Sequence, residues 1–288
     1  MPLWIRSPME WGAAQIAATG HALRVCAHAL IHTDIDRTLV SPQVRRISYA
    51  DLGEVLVKGF NEFVAFRDDV IFLCLVYPLA GLALAYMALN ASLVPMIFPL
   101  FSGFVLIGPF AALWLYEMSR RRERGETVSW AEGVRAFSST NAAAIFKLGL
   151  LLTAVFALWL ATAVLIYVAT MGLKMPTSIP SFASDVFSTS AGWRLIFIGV
   201  ATGFVFALVV LSISVVSFPL LLDRHVAVST AIATSVRAMQ VNPGPMLAWG
   251  FIVGASLVLG MLPVLVGLIV VLPVLGHATW HLYRKVVV

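Results

Sequence analysis

Long apolar runs without charged residues make up most of this chain, and polar stretches separate them. A bilayer hydrocarbon core about 30 Å thick is crossed by roughly 20 helical residues. Five runs reach that length, and the last, at 245–283, is about twice as long as one crossing requires. Because Gly260-Met261-Leu262-Pro263 interrupts it, this run predicts two helices. We therefore predict an all-α membrane protein with six transmembrane helices, at about 70–89, 93–116, 144–171, 193–222, 245–261 and 263–284.

The polar stretches that precede the spans carry signals for helix starts. Residues Ser48–Asp51 and Ser129–Glu132 both fit the S-x-x-[DE] capping box, and Ser229 is a simpler N-cap residue. After Ser48, apolar residues recur at helical spacing, which predicts an amphipathic helix at the membrane surface or against the bundle. Its apolar positions are Leu52, Val55, Leu56, Phe60, Phe63 and Val64, and the positions expected to face away are Glu54, Lys58, Asn61 and Glu62.

These pieces suggest three copies of one unit, a surface helix followed by a pair of spans. The second span of each pair contains a proline, Pro109, Pro219 or Pro273, where we predict a helix kink. The spacing between copies is unequal, and the alternative is that any six-span protein has capped loops and kinked helices. If the repeat is real, it predicts a threefold quasi-symmetric bundle.

The composition and charge distribution place the chain in lipid. Hydrophobic residues make up 60% of the chain and charged residues 11%. Of the 19 Lys and Arg residues, all but Lys174 and Arg194 lie on one side of the predicted spans, so the positive-inside rule predicts that both termini are cytoplasmic. Because these residues gather where apolar runs end, the formal charge of +5 does not indicate nucleic-acid binding. We predict an N-terminal cytoplasmic extension at 1–43, partly helical or disordered, and a membrane domain at 44–288.

Several phrases of the sequence resemble a known family. They are "VRRISYADL", "FPLFSGFVLIGPFAALWLYEMSRRRERGE", "SVVSFPLLLDRHV", "ATSVRAMQVNPGPMLAWG" and "VVLPVLGHATWHLYRKV". Together they are similar to the DUF2189 family of predicted bacterial integral membrane proteins, over about residues 44–288. The resemblance implies a multi-pass protein of the bacterial cytoplasmic (inner) membrane. It implies no established activity, although some members are labelled putative cytochrome c oxidase subunits.

Two histidines one helical turn apart, His277 and His281, are the candidate haem or metal ligands. An oxidase catalytic subunit takes its ligands from several helices, whereas the other four histidines of this chain lie outside the predicted spans. A haem held between two helices would therefore need a partner chain or a loop residue. Counted from the proline, His281 corresponds to Glu117 of the first copy, which favours a helix exit. We predict an interfacial belt with Trp280 and Tyr283, a possible hydrogen bond from His277 to another helix, and no bound cofactor or metal.

Small residues and arginines supply the remaining candidate sites. Two G-x-x-x-G spacings predict close helix packing, within the chain or between copies in a homo-oligomer. Their glycines are Gly199, Gly203, Gly250 and Gly254. An arginine cluster after the second span suits anionic lipid headgroups or an acidic membrane-protein partner. It comprises Arg120, Arg121, Arg122 and Arg124.

The lack of catalytic motifs in the sequence predicts a protein that is not an enzyme. The sequence has no H-E-x-x-H, P-loop or G-x-S-x-G motif, and no ionisable side chain near the centre of a predicted span apart from His277. We therefore favour a non-enzymatic membrane component that acts through protein or lipid partners. The alternatives are a transporter or channel for a small solute, with the prolines breaking helices around a cavity, and an accessory subunit related to a respiratory oxidase.

Overall fold

Helices dominate the part of the chain that the structure describes. The structure is a computed structural model that describes residues 42–74, 78–83, 86, 94–100, 108, 112–126, 141–173, 176 and 178–288. Its helices are α1 (Tyr49–Cys74), α2 (Leu113–Glu123), α3 (Ala142–Met171), α4 (Ile179–Ser188), α5 (Ser190–Ser214), α6 (Ser217–Asp223), α7 (Val228–Val241), α8 (Pro243–Met261) and α9 (Leu268–Val286), with a 3-10 turn at Val94–Met96. Among these residues, extended pairing is limited to one antiparallel bridge between Val44 and Val287. The predicted all-α class is confirmed.

Three stretches of the described residues are long and apolar enough to cross a membrane, judged by length and composition. They are Ala142–Met171, Ser190–Asp223 and Pro243–Met261. These stretches match the third, fourth and fifth predicted spans. The predicted spans at 70–89 and 93–116 are described only in pieces, because 75–77, 84–85, 87–93, 101–107 and 109–111 lie outside the described residues. The helix α9, at the position of the sixth span, is not among the three. Six spans and a threefold repeat therefore stay predictions.

The predicted kink positions have different surroundings. Pro219 is the third residue of α6, just after a turn at 215–216 that separates α6 from α5. A proline suits the first turn of a helix because the amide hydrogen it lacks would have no partner there. Pro273 lies inside α9. Pro109 lies outside the described residues.

One end of the bundle, which we call the polar end, brings together the start of α3 and the ends of α6 and α9. The Asn141 side-chain amide donates hydrogen bonds to the carbonyl oxygens of Leu221, at 2.8 Å, and Arg224, at 3.2 Å. The Tyr283 hydroxyl donates to an oxygen of Asp223 at 2.8 Å. These three helix termini therefore lie at a similar level.

The start of α8 lies at the polar end as well. The side-chain oxygen of Asn242, the residue before α8, accepts from the amide of Ile47 at 2.8 Å, and its amide donates to the Arg45 carbonyl at 3.0 Å. The Val288 amide donates to the Gln43 carbonyl at 3.0 Å. The short segment before α1 is thus held between the start of α8 and the end of α9.

The opposite end of the bundle is formed by the connection between α3 and α5, which contains α4. The ring of Tyr167, in the last turns of α3, lies 6.3 Å from the ring of Phe182 in α4. Because α3 starts at the polar end and has 30 residues, it extends about 45 Å from that end.

The capping predictions have three outcomes. At Ser48 the capping box is confirmed: the Asp51 carboxylate accepts from the Ser48 amide at 2.7 Å, and the Ser48 hydroxyl accepts from the Asp51 amide at 3.4 Å. The N-cap prediction for Ser229 is wrong, because α7 begins one residue earlier with Ala227 in the cap position. Residues 129–132 lie outside the described residues.

The amphipathic prediction for α1 is partly wrong. Leu52, Val55 and Phe63 are buried as predicted, but Phe60 is 51% exposed. Glu62 does not face away, since it is only 7% exposed. The reason is that α1 packs along α9, which provides polar partners for a carboxylate on the inner face of α1.

Candidate functional site

The most unusual feature of the described residues is a buried polar cluster, Glu62, Ser119, His277 and His281, where α1, α2 and α9 meet. The Ser119 hydroxyl donates to Glu62 Oε2 at 2.5 Å and lies 2.8 Å from His277 Nδ1. His277 Nδ1 is also 3.2 Å from Glu62 Oε2, and His281 Nε2 is 3.1 Å from Glu62 Oε1. Ser119 and His277 are fully buried. Glu62 is therefore the shared acceptor of the cluster.

Helical spacing and one glycine bring these side chains together. His277 and His281 are four residues apart on α9, so both point to the same neighbouring helix. That neighbour is α1, which approaches α9 closely at Gly59. A Cβ at Gly59 would lie 2.5 Å from the Val274 carbonyl oxygen and 2.7 Å from the Ala278 amide nitrogen. Because only glycine avoids this backbone clash, Gly59 sets the distance at which Glu62 meets the two imidazoles.

The hydrogen-bond geometry assigns the protons of the cluster. Ser119 has one hydroxyl hydrogen, and in this arrangement it is directed to Glu62. His277 Nδ1 must then carry a hydrogen to donate to Ser119 or Glu62, and His281 Nε2 must carry one to donate to Glu62. Burial by itself raises the pKa of the Glu62 carboxyl, but the hydrogen bonds from His277, His281 and Ser119 outweigh burial and hold this pKa well below its usual value. Glu62 is therefore an ionised carboxylate at neutral pH.

The cluster borders on aromatic and cationic groups. The Phe66 ring, one turn after Glu62, lies 6.1 Å from the His277 ring, and the Arg122 guanidinium lies 5.1 Å from the centre of the Phe66 ring. His277 Nε2 has no hydrogen-bond partner among the described residues. This buried nitrogen is therefore a polar atom of the cluster that the described residues leave without a partner.

The geometry does not favour catalysis by Ser119. In a nucleophilic triad the imidazole joins the serine to the carboxylate through its two different nitrogens. Here Ser119 and Glu62 contact the same nitrogen of His277, and the serine is fully buried. Within the described part of the chain, no three His, Cys, Asp or Glu side chains are placed to hold a metal ion. The arrangement can bind protons and join helices.

A belt of ion pairs surrounds the cluster and includes the predicted arginine site. Glu117 accepts from Arg120 at 2.9 Å and from Arg121 at 2.8 Å. Arg124 is 3.5 Å from Asp223. Of the four candidate arginines, Arg122 and Arg124 are exposed, whereas Arg120 and Arg121 are partly buried beside Glu117.

The predicted interfacial belt at the end of α9 is wrong. Trp280 and Tyr283 are each only 1% exposed. The Trp280 indole donates to Glu123 at 3.1 Å, and Tyr283 donates to Asp223. These rings are buried because α1, α2 and α6 cover this half of α9. The prediction that His277 could bond to another helix is confirmed by its contact with Ser119 of α2.

A large apolar groove lies between α2, α5, α8 and α9. Its volume is about 860 Å³. The lining includes Tyr116 from α2, Leu211 from α5, Gly254 from α8, and Leu275, Gly276 and Thr279 from α9. The same stretch of α9 thus lines the groove with one face and supplies His277 and His281 to the buried cluster with another.

The four candidate packing glycines have different surroundings. A Cβ at Gly203 would lie 3.2 Å from the Trp159 ring, and one at Gly250 would lie 2.7 Å from the Leu211 side chain. At Gly199 and Gly254 it would meet nothing within 4 Å. Gly250 and Gly254 both line the groove. Packing between copies of the chain stays a prediction.

Sequence reasoning missed Glu62 and Ser119 as site residues. Ser119 directly precedes the arginine cluster of α2, which drew attention to the charged residues, and Glu62 was assigned to the outer face of α1. The available signal was that Glu62 follows Gly59 by three residues and Val55 by seven, which places it on the inner side of a helix whose partner carries two histidines.

The comparisons with known proteins support the interpretation of this chain as a membrane protein. No curated protein and no solved structure shows a significant match to this chain. The model of the DUF2189 family, described as a predicted integral membrane protein, matches residues 97–223, which confirms the family resemblance over that part of the chain.

Proposed function

We propose that this protein is a non-enzymatic component of the bacterial inner membrane that acts through a bound lipid. The observation that carries the proposal is the apolar groove between α2, α5, α8 and α9. Its volume of about 860 Å³ falls within the roughly 300–1,000 Å³ of ordinary ligand pockets. An acyl chain is the occupant that best suits such a lining inside a membrane protein.

The aliphatic hydroxyl groups of the groove, on Ser214 and Thr279, support an apolar ligand over a polar solute. The Ser214 hydroxyl donates to the Val210 carbonyl at 2.6 Å, and the Thr279 hydroxyl donates to the Leu275 carbonyl at 2.7 Å. Because both hydrogens already serve the helix backbone, these side chains do not donate to a ligand. This favours lipid binding over the transporter alternative.

Anionic headgroups are the second part of the proposal. Arg122 and Arg124 are exposed at the polar end, where the positive-inside rule places the cytoplasmic leaflet. Their guanidinium groups can reach headgroup phosphates, although Arg124 also lies 3.5 Å from Asp223. Arg120 and Arg121 are less accessible because Glu117 holds both. We therefore expect Arg122 and Arg124 to account for any preference for anionic lipid.

Photocrosslinking tests lipid binding in the groove. Protein in vesicles containing a glycerophospholipid with a diazirine on one acyl chain is irradiated, and lipid adducts are located by peptide mass spectrometry. Gly254→Leu places a side chain into the groove at a position where an added Cβ meets no other atom. Gly199→Leu, also free of close contacts but not part of the groove lining, is the matched control.

We expect adducts on the groove residues of α8 and α9 to fall at least several-fold in Gly254→Leu and to stay unchanged in Gly199→Leu. Equal labelling of both variants and wild type would overturn the acyl-chain proposal. The headgroup part is tested separately by replacing Arg122 and Arg124 with glutamine in anionic and zwitterionic vesicles. It fails if the double variant keeps the wild-type difference between the two vesicle types.

A further inference from the structure

The buried cluster holds an ionised carboxylate away from water. Glu62 is 7% exposed and accepts hydrogen bonds from Ser119 and from both imidazoles. Buried charges in proteins are normally paired, because moving an unpaired carboxylate out of water costs more than hydrogen bonds from neutral groups return. Glu62 is therefore stabilised best when one of its neighbours carries a positive charge.

The permanent cations near the cluster have other partners. Arg284 pairs with Glu123 at 3.0 Å, and Lys285 pairs with acidic residues at the start of α1. The Arg122 guanidinium lies over an aromatic ring instead of contacting the carboxylate. Among the described residues, the cationic charge that can reach Glu62 directly is thus one on an imidazole.

The two imidazoles differ in how well they can hold a second proton. His277 is fully buried, and its Nδ1 carries the hydrogen that is directed to Ser119 or Glu62. A second hydrogen would lie on Nε2, which is buried and has no hydrogen-bond partner in the described part of the chain. A charged His277 would therefore bury an unpaired donor, which is unfavourable.

His281 can hold that proton at a lower cost. Its Nε2 lies 3.1 Å from Glu62 Oε1, and its side chain is 17% exposed. Its other ring nitrogen is not among the buried polar atoms that lack a partner within the described residues. A positive charge on this ring would make the contact with Glu62 a charge-assisted hydrogen bond, which is roughly twice as strong as a neutral one.

A break in α1 lies beside this contact. Phe66, one turn after Glu62, has non-helical backbone angles of φ −112° and ψ 15°, so α1 consists of two helical pieces. The first piece is held on α9 by the close approach at Gly59, by the ion pairs of Lys285 and by the contact between Glu62 and His281. Because its backbone is already outside the helical range, Phe66 can serve as a hinge for this piece.

We infer that Glu62 and His281 form a pH-sensitive contact between α1 and α9. Binding of one proton to His281 neutralises the cluster and holds the first piece of α1 on α9. Loss of this proton leaves the buried carboxylate without a countercharge, so the piece before Phe66 loosens about the break. This contact is independent of lipid binding in the groove.

The pH range of the effect is that of histidine, whose charge ordinarily changes between about pH 5 and 8. The other titratable side chains that the structure describes on α1, α2, α6 and α9 are Asp, Glu, Lys, Arg and Tyr, whose ordinary pKa values lie outside about pH 6–8.5. The charged ones besides Glu62 are Asp51, Glu54, Lys58, Glu117, Arg120, Arg121, Arg122, Glu123, Asp223, Arg284 and Lys285. A junction that is stabilised by a bound proton loses stability as the pH rises. The loss occurs well above the acidic range in which Glu62 itself is protonated.

Hydrogen exchange of the wild-type protein tests the inference without any substitution. Exchange is measured in lipid nanodiscs at about pH 6 and about pH 8.5, and is corrected for the intrinsic pH dependence of amide exchange. We expect the protection of residues 49–65 to fall at least about threefold at the higher pH, while that of α7, which connects α6 to α8, changes little. Equal changes in the two helices, or no change in either, would overturn the inference.

His281→Gln identifies the group that binds the proton. Glutamine keeps a donor for Glu62 but cannot carry a positive charge. We expect the pH response of residues 49–65 to disappear in this variant and to persist in His225→Gln, which removes an exposed histidine outside the cluster. If His281→Gln keeps the wild-type response, or if His225→Gln abolishes it, His281 is not the proton-binding group and the inference fails.

Discussion

Replacing Glu62 by alanine tests whether the buried cluster stabilises the junction of α1, α2 and α9. The carboxylate accepts hydrogen bonds from Ser119, His277 and His281, and the first two are fully buried. A buried donor left without its acceptor costs about 1–3 kcal/mol. Three donors lose Glu62 in this variant, but Ser119 and His277 stay within 2.8 Å of each other, so we expect a total loss of about 3 kcal/mol.

The measurement is thermal unfolding of the detergent-solubilised protein. At about 2–4 °C per kcal/mol, the expected decrease in Tm is about 6–12 °C. Glu54→Ala is the matched control, because Glu54 lies two turns earlier on α1, is 61% exposed and contacts Lys285. Such a surface pair contributes only about 0–1 kcal/mol. If the two variants lose the same stability, the cluster is not the element that joins these helices.

Three further predictions concern the same end of the bundle. Gly59→Ala should lower the Tm by several degrees, since its Cβ would meet the Val274 carbonyl oxygen. The control is Gly53→Ala, whose Cβ would meet no atom within 4 Å and which should be neutral or stabilising by up to about 1 kcal/mol. Equal effects of the two variants would refute the close approach of α1 to α9. The folded-state pKa of Glu62 lies below its ordinary value of 4.5, so the stability that the carboxylate contributes is present above pH 4.5 and is lost as the pH falls through the folded pKa. The Tm difference between wild type and Glu62→Gln should therefore shrink on acidification below pH 4.5. A constant difference would contradict this. Asn242→Ala removes two hydrogen bonds to the segment before α1. If this costs about 1.4 kcal/mol of local stability, amide hydrogen exchange in that segment should increase by at least about tenfold. Unchanged exchange would contradict the role of Asn242.

The apolar helices could be predicted from the sequence because their signal is local. The run at 144–171 corresponds to α3, Ala142–Met171, with the start displaced by two residues. The capping box at Ser48 was predictable for the same reason, since its two side chains are three residues apart. In these cases the residues that determine the element are all within one helix.

The site depends on contacts that the sequence pattern does not contain. Glu62 and His281 are separated by 219 positions. A glutamate beside Asn61 on an amphipathic helix is ordinarily solvated, and only the packing of α1 against α9 reverses that expectation. The prediction of an interfacial belt at Trp280 and Tyr283 was wrong for the same reason. The sequence pattern of aromatic residues near a helix end is the same whether lipid or protein covers them.

The contact between α1 and α9 also has a consequence for synthesis. A ribosome adds about 5–20 residues per second, so α9 follows Glu62 by about 10–40 s. During that interval Glu62 lacks its two imidazole partners, His277 and His281, although Ser119 is synthesised earlier. Chains truncated before α9 should therefore leave Glu62 without its two imidazole partners, and we expect them to be degraded faster than the full chain.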